Sequence, residues 1–316
     1  MATSKPLQSL ILAAPLILAA CQTAPVQNPP VQAAPVQPAP IQEEAPASPL
    51  NWNGQSSVEL PLTLDRGRRP TVPVRVMGRD TIALLDSGSG IPAISRTVAT
   101  DAGIGKLQAE VNGQKVDTVS NVSLELGRIS TVLPMAVLID HNAERPLVVG
   151  AEIFLHAIVE MDFEAGRLRL FQPAAFTPPG AQPVPVMLWN SLPTLQLTIN
   201  GQPRQVCAVI DTGFNGGVAL SSEIVNALAL PPDPAGGTRV ARDGFGNRYE
   251  RPLLAPLTDL RFGGLAYQNV PVTQSPPLPD AQQCGNVLGM AILYRLRLIF
   301  DLQNQRVWLL PRAGNL

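Results

Sequence analysis

The chain repeats itself, and that constrains its fold more than any single motif. Val74-Arg-Val-Met-Gly78, the apolar run Ile82-Ala-Leu-Leu85 and Asp86-Ser87-Gly88 are matched by Leu197-Thr-Ile-Asn-Gly201, Val206-Cys-Ala-Val-Ile210 and Asp211-Thr212-Gly213. Val148-Val149-Gly150 recurs as Val287-Leu288-Gly289, with the glycines 139 positions apart. Asp162 and Asp301 are separated by the same distance, as are Arg167 and Arg306. A register held over three landmarks marks a duplicated unit. Asp86 and Asp211 are only 125 positions apart, so the second copy holds 14 more residues between its aspartate and its glycine. The proline-rich stretches 231–237 and 275–279 are where we place them.

Within each copy the pattern is that of strands. Short β-branched or alternating runs, such as Thr71-Val-Pro-Val-Arg-Val76, Leu195-Gln-Leu-Thr-Ile199 and Arg306-Val-Trp-Leu-Leu310, are separated by Gly, Pro and Asn turns. Residues 221–228 form one of the few helical patterns. The 33 prolines and 25 glycines, with 4% aromatics, fit short strands and many turns, while 45% hydrophobic residues suffice for a substantial core. The expected fold is mainly β and bilobal, two homologous β-barrel-like half-domains with short helices. The first half-domain covers 51–180 and the second 181–316.

The first fifty residues read differently. Lys5 precedes an apolar run, residues 7–18, too short to span a bilayer but suited to a signal peptide, residues 1–20. It ends in Leu18-Ala19-Ala20-Cys21, which resembles a bacterial lipobox. That resemblance implies lipidation of Cys21, a mature chain that starts there and membrane attachment through the lipid. Gln22 in place of Asp implies sorting to the outer membrane, facing the periplasm of a bacterial envelope. Residues 21–50 are almost entirely Pro, Ala, Gln and Val, with too little apolar bulk to fold, and read as a tether.

A net charge of -1 without Lys/Arg clusters gives no footprint for nucleic acid. His141 and His156 are isolated from metal-ligand patterns, so neither a metal nor another cofactor is expected.

One Asp-Ser/Thr-Gly triplet is weak, because ordinary turns use Asp and Gly. Two of them, each after an apolar strand and each followed by two apolar residues and Gly, are a stronger signal. The arrangement, over residues 56–311, resembles the retropepsin-like and pepsin-like aspartic peptidases. That resemblance implies an aspartic endopeptidase, a hydrolase acting on a peptide or protein substrate, in which Asp86 and Asp211 activate water between them. Two carboxyls about 3 Å apart share one proton, so one serves as base and the other as acid. The resemblance further implies that Ser87 and Thr212 hydrogen-bond across the two halves and that Gly88 and Gly213 let the chain turn tightly beneath the carboxyls. It also implies hairpin flaps, at Asn112-Gly113 in the first half and around Gly244, Phe245 and Gly246 in the second.

Phe214, next to Gly213, departs from the small residue usual there. An alternative is therefore a catalytically silent peptide-binding or scaffold lipoprotein with the same cleft. A structural lipoprotein with coincidental Asp-Gly turns leaves the registers unexplained. With Cys21 assigned to lipid, Cys207 and Cys284 remain, and an oxidising envelope favours their pairing as a disulfide.

Overall fold

A computed structural model describes residues 50–111, 113–140, 146–203, 205–242, 248–275 and 284–312. The signal segment, Cys21, nearly all of the tether, Asn112, His141 and Gly244, Phe245 and Gly246 lie outside them. The fold is mainly β, and the described residues form three sheets and four short α-helices. No helix among the described residues is long and apolar enough to cross a membrane.

The repeat in sequence is a repeat in topology. In the first half the strands Pro70–Val76 and Arg79–Leu85 form a hairpin, and the second runs into Asp86. Leu147–Val149 lies parallel to that aspartate strand and antiparallel to Ala93–Ser95. In the second half Leu192–Ile199 and Gln205–Ile210 form the hairpin that leads to Asp211. Val287–Leu288 then lies parallel to the aspartate strand and antiparallel to Val218–Leu220. The short strands Ala93–Ser95, Leu147–Val149 and Val218–Leu220 are buried on both faces, which explains why these segments do not alternate in polarity. In the first half Pro70–Val76 also pairs with Gln114–Leu126, closing six strands into a barrel.

Matching helices follow. Ser95 caps Arg96–Asp101 and Ser221 caps Ser222–Ala227, each side chain accepting from the N–H three residues on, and the second helix lies where a helical pattern was predicted. The expected insertion at 231–237 falls between that helix and the strand Thr238–Arg242, a link of residues 228–237 where the first half needs only 102–106. Of the second expected insertion, 275–279, only Ser275 is described.

A six-stranded sheet joins the halves. The hairpins Ile158–Asp162/Arg167–Phe171 and Leu296–Asp301/Arg306–Pro311 sit side by side, paired antiparallel from Val159–Phe300 to Met161–Leu298. One further strand flanks each, Ser57–Pro61 on one side and Val184–Pro185 on the other, so the sheet reads alike from either edge. Glu160, buried at the joint, accepts from Arg169 Nη2 at 2.7 Å and from Arg297 Nε at 2.6 Å. Phe154 and Phe300 meet edge to face across it, 5.0 Å between ring centres, within an apolar core that continues through both halves. The described residues fall in one compact unit, Ala45–Leu316. The boundary expected at 180/181 lies between Pro173–Ala175 and Val184–Pro185.

Candidate active site

The two aspartate turns face each other. Asp86 N–H donates to Val149 O at 2.9 Å and Asp211 N–H to Leu288 O at 3.0 Å, so each aspartate ends a strand at the level of the apolar pair that precedes Gly150 or Gly289. The adjacent hydroxyls then lock the turns together. Ser87 Oγ donates to Ile210 O at 2.6 Å and accepts from Thr212 N–H at 3.1 Å. Thr212 Oγ1 donates to Leu85 O at 2.7 Å and accepts from Ser87 N–H at 3.0 Å. All four bonds cross from one half to the other, and both side chains are buried. Fixing two backbones reciprocally in a dry interior leaves little freedom for the carboxyls above them.

The glycines of the triplets are needed for room. Gly88 and Gly213 sit in tight turns, with Ser89 N–H donating to Asp86 O at 3.1 Å and Phe214 N–H to Asp211 O at 3.4 Å, but neither has positive φ. A Cβ on Gly88 would stand 2.5 Å from Asp211 Cγ, and one on Gly213 would stand 2.1 Å from Asp86 Oδ2. Each glycine is thus the seat of the opposite carboxyl.

The carboxyls are hydrogen-bonded to each other and only partly open to solvent. Burial raises both from the ordinary carboxylate range. Asp211 rises well above it, because the charge of Asp86 beside it adds to burial. Asp86 is held back by the hydrogen bond from Asp211, the N–H of Gly88 at 2.9 Å from its Oδ1, the charge of Arg69 and the N–H of Gly213. Asp211 Oδ1 accepts from Phe214 N–H at 2.8 Å. The pair holds one proton over an extended pH range.

Three residues that the motifs do not mark shape this site. Arg69, buried and paired with Asp65, supplies a positive charge that favours ionised Asp86. Glu152, in the helix Ala151–Phe154 behind Asp86, is 5% exposed; its Oε1 accepts from Gly150 N–H at 2.9 Å and its Oε2 is buried without a partner. Burial and the charge of Asp86 push its carboxyl up to about 7. Arg251 lies over the ring of Phe214. The only signal for Glu152 is an acid inside an apolar run.

Paired strands flank both expected flap positions, whose residues Asn112 and Gly244, Phe245 and Gly246 lie outside the described ones. Leu107–Val111 pairs with Gln114–Leu126, and Gly113 has φ +75°. Thr238–Arg242 pairs with Arg248–Leu257. Cys207 and Cys284 are joined in a disulfide with their Cα atoms 5.5 Å apart.

A cavity of about 450 Å³ lined by Asn51, Ser123, Arg128 and Ile129 lies away from the aspartates and offers no acid–base pair. Among the described residues no three His, Cys, Asp or Glu side chains are placed to hold a metal ion. What the arrangement can do is hold one proton between two carboxyls, next to an opening that water can enter. Comparison with models of known protein families finds no match, and no curated protein is found to be significantly similar to the chain.

Proposed function

We propose that the chain is an aspartic endopeptidase held in a bacterial envelope by a lipid on Cys21. One observation carries the reading: two copies of a strand-turn unit bring Asp86 and Asp211 into hydrogen-bond contact over interlocked Ser87 and Thr212. A pure binding cleft gains nothing from two carboxyls that compete for ionisation.

We take Asp86 as the base, because the charge of Arg69 favours its ionised form, and Asp211 as the acid. Asp86, ionised, takes a proton from water as the water oxygen bonds to the scissile carbonyl carbon. Asp211 gives its proton to the carbonyl oxygen, and a neutral tetrahedral diol forms. In the second step Asp211 takes back a diol proton while Asp86 protonates the departing nitrogen. The C–N bond breaks, and the pair ends as it began. No covalent bond to the protein forms.

A fluorogenic peptide pool tests this. Cleavage is expected at acidic pH, blocked by pepstatin and lowered at least about a thousandfold by Asp86→Asn or Asp211→Asn. Because burial raises both carboxyls, the rate should hold above the ordinary carboxylate range. It should then fall as rising pH removes the shared proton. Cleavage that survives in both variants rules the proposal out. Peptide binding with no cleavage by the unaltered chain would favour a catalytically silent peptide-binding lipoprotein.

A further inference from the structure

The surroundings of Asp211 differ from those of Asp86 in one respect that bears on what the site accepts. The Phe214 ring turns inward over backbone: a Cβ on Gly216 would stand 2.1 Å from its Cζ, and one on Gly289 2.4 Å from its Cδ1. The guanidinium of Arg251 lies 4.8 Å from the centre of this ring and 5.1 Å from that of Tyr249. Its Nη2 donates to the Tyr249 hydroxyl at 2.5 Å. Its Nε and Nη1 are buried and have no acceptor. Arg69 and Arg169 also bury an Nε without an acceptor, but each has a carboxylate on another nitrogen, and Arg312 buries only its Nε, whereas Arg251 buries two such nitrogens. Among the described residues no carboxylate contacts Arg251.

Withdrawing a cation from water without an anion is unfavourable, and aromatic faces compensate only in part. The position of Arg251 makes sense of that deficit. It sits on the strand Arg248–Leu257, which pairs only with Thr238–Arg242 until Leu253 joins Val270–Gln274. A two-stranded ribbon is marginally stable alone and can swing away from what lies beneath it. Beneath this one is Phe214, whose N–H binds Asp211.

We infer that Arg251 is a specificity residue that receives a carboxylate of the substrate close to the scissile bond, either an Asp or Glu side chain or a free chain terminus. The inference rests on the peptidase reading. Tyr249, on the same strand, keeps the guanidinium oriented when the ribbon lifts from Phe214 and opens Nε and Nη1 to a carboxylate, and such pairs outweigh neutral hydrogen bonds. The pairing also favours the ionised carboxylate at acidic pH.

The test uses the whole chain and peptides that carry Glu or Gln at one position at a time, with the C-terminus free or amidated. Selection for Glu over Gln identifies a side-chain carboxylate, and selection for the free end identifies a terminal one. The expected preference at one position is about tenfold or more in kcat/KM, chiefly through KM. Arg251→Met should bring the ratio to about one, Arg251→Lys should keep part of it, and Arg251→Glu should turn it toward Lys. Cleavage without any such selection, or selection unchanged in Arg251→Met, overturns the inference and leaves the peptidase reading standing. Calorimetric binding of the same peptides to the Asp86→Asn chain separates the two claims. Arg251-dependent selection there, with no cleavage by the unaltered chain, keeps the carboxylate contact of Arg251 but sinks the peptidase and with it any role of Arg251 in cleavage specificity. No selection in either assay overturns the inference.

Discussion

Glu152 gains nothing by ionising. Its carboxyl accepts from Gly150 N–H and from its own N–H, but Oε2 is buried without a partner and Asp86 is a like charge nearby. Its carboxyl is raised to about 7 from an ordinary value of 4.5. Below the unfolded value both states are protonated and the group is neutral to stability. Between the two values the folded chain keeps a proton that the unfolded chain has lost, so stability falls as pH rises. Above the folded value the loss levels off at about 3 kcal/mol. Glu152→Gln keeps an acceptor for Gly150 and cannot ionise, so its urea midpoint should exceed that of the unaltered chain more at pH 8 than at pH 5. Parallel midpoints at the two pH values would clear Glu152 of any part in the response. Thr212 invites the complementary experiment. Thr212→Val orphans Ser87 N–H and Leu85 O in a dry interior and should cost about 2–4 kcal/mol, lowering kcat more than it raises KM. Thr212→Ser should come close to full stability and rate.

Phe214, Gly216 and Gly289 act as one packing element. A methyl at 216 meets the Phe214 ring, so Gly216→Ala should destabilise by about 1–3 kcal/mol, and Phe214→Ala should relieve that clash while leaving a cavity of its own. Denaturation of the two single variants and the double variant should give a coupling of about 1 kcal/mol or more. Strict additivity would mean that Gly216 is needed for another reason. The elements divide in how far sequence discloses them. The aspartate strands, the capped helix at 222–227 and both hairpins are legible because period, turn residues and the repeat agree locally. Phe214 is visible in sequence only as a departure. That it occupies the room left by two glycines depends on Gly289, 75 positions away. Arg69 and Arg251 are not legible at all, and Glu152 only as an acid inside an apolar run. A charged residue in a short strand or helix reads as a solvated face, and their burial comes from neighbours remote in the chain.

For the molecule as a whole, the duplication leaves two unequal halves. Only the second carries a disulfide, Cys207–Cys284, which closes 77 residues and restricts the unfolded chain by about 4 kcal/mol. Cys207→Ala with Cys284→Ala should lower the denaturation midpoint accordingly, and a reductant should do the same to the unaltered chain only. Cys21→Ser should move the chain from the membrane fraction to the soluble one, with peptide cleavage retained. The joint between Ile158–Asp162 and Leu296–Asp301 has a further consequence. Its two sides come from one polypeptide, so the aspartates meet whenever the chain folds and no second molecule has to be encountered. Initial rates should therefore scale with the first power of protein concentration, and specific activity should survive dilution far below any dissociation constant of a two-chain assembly. A tethered enzyme scattered sparsely over a membrane would then remain active one molecule at a time.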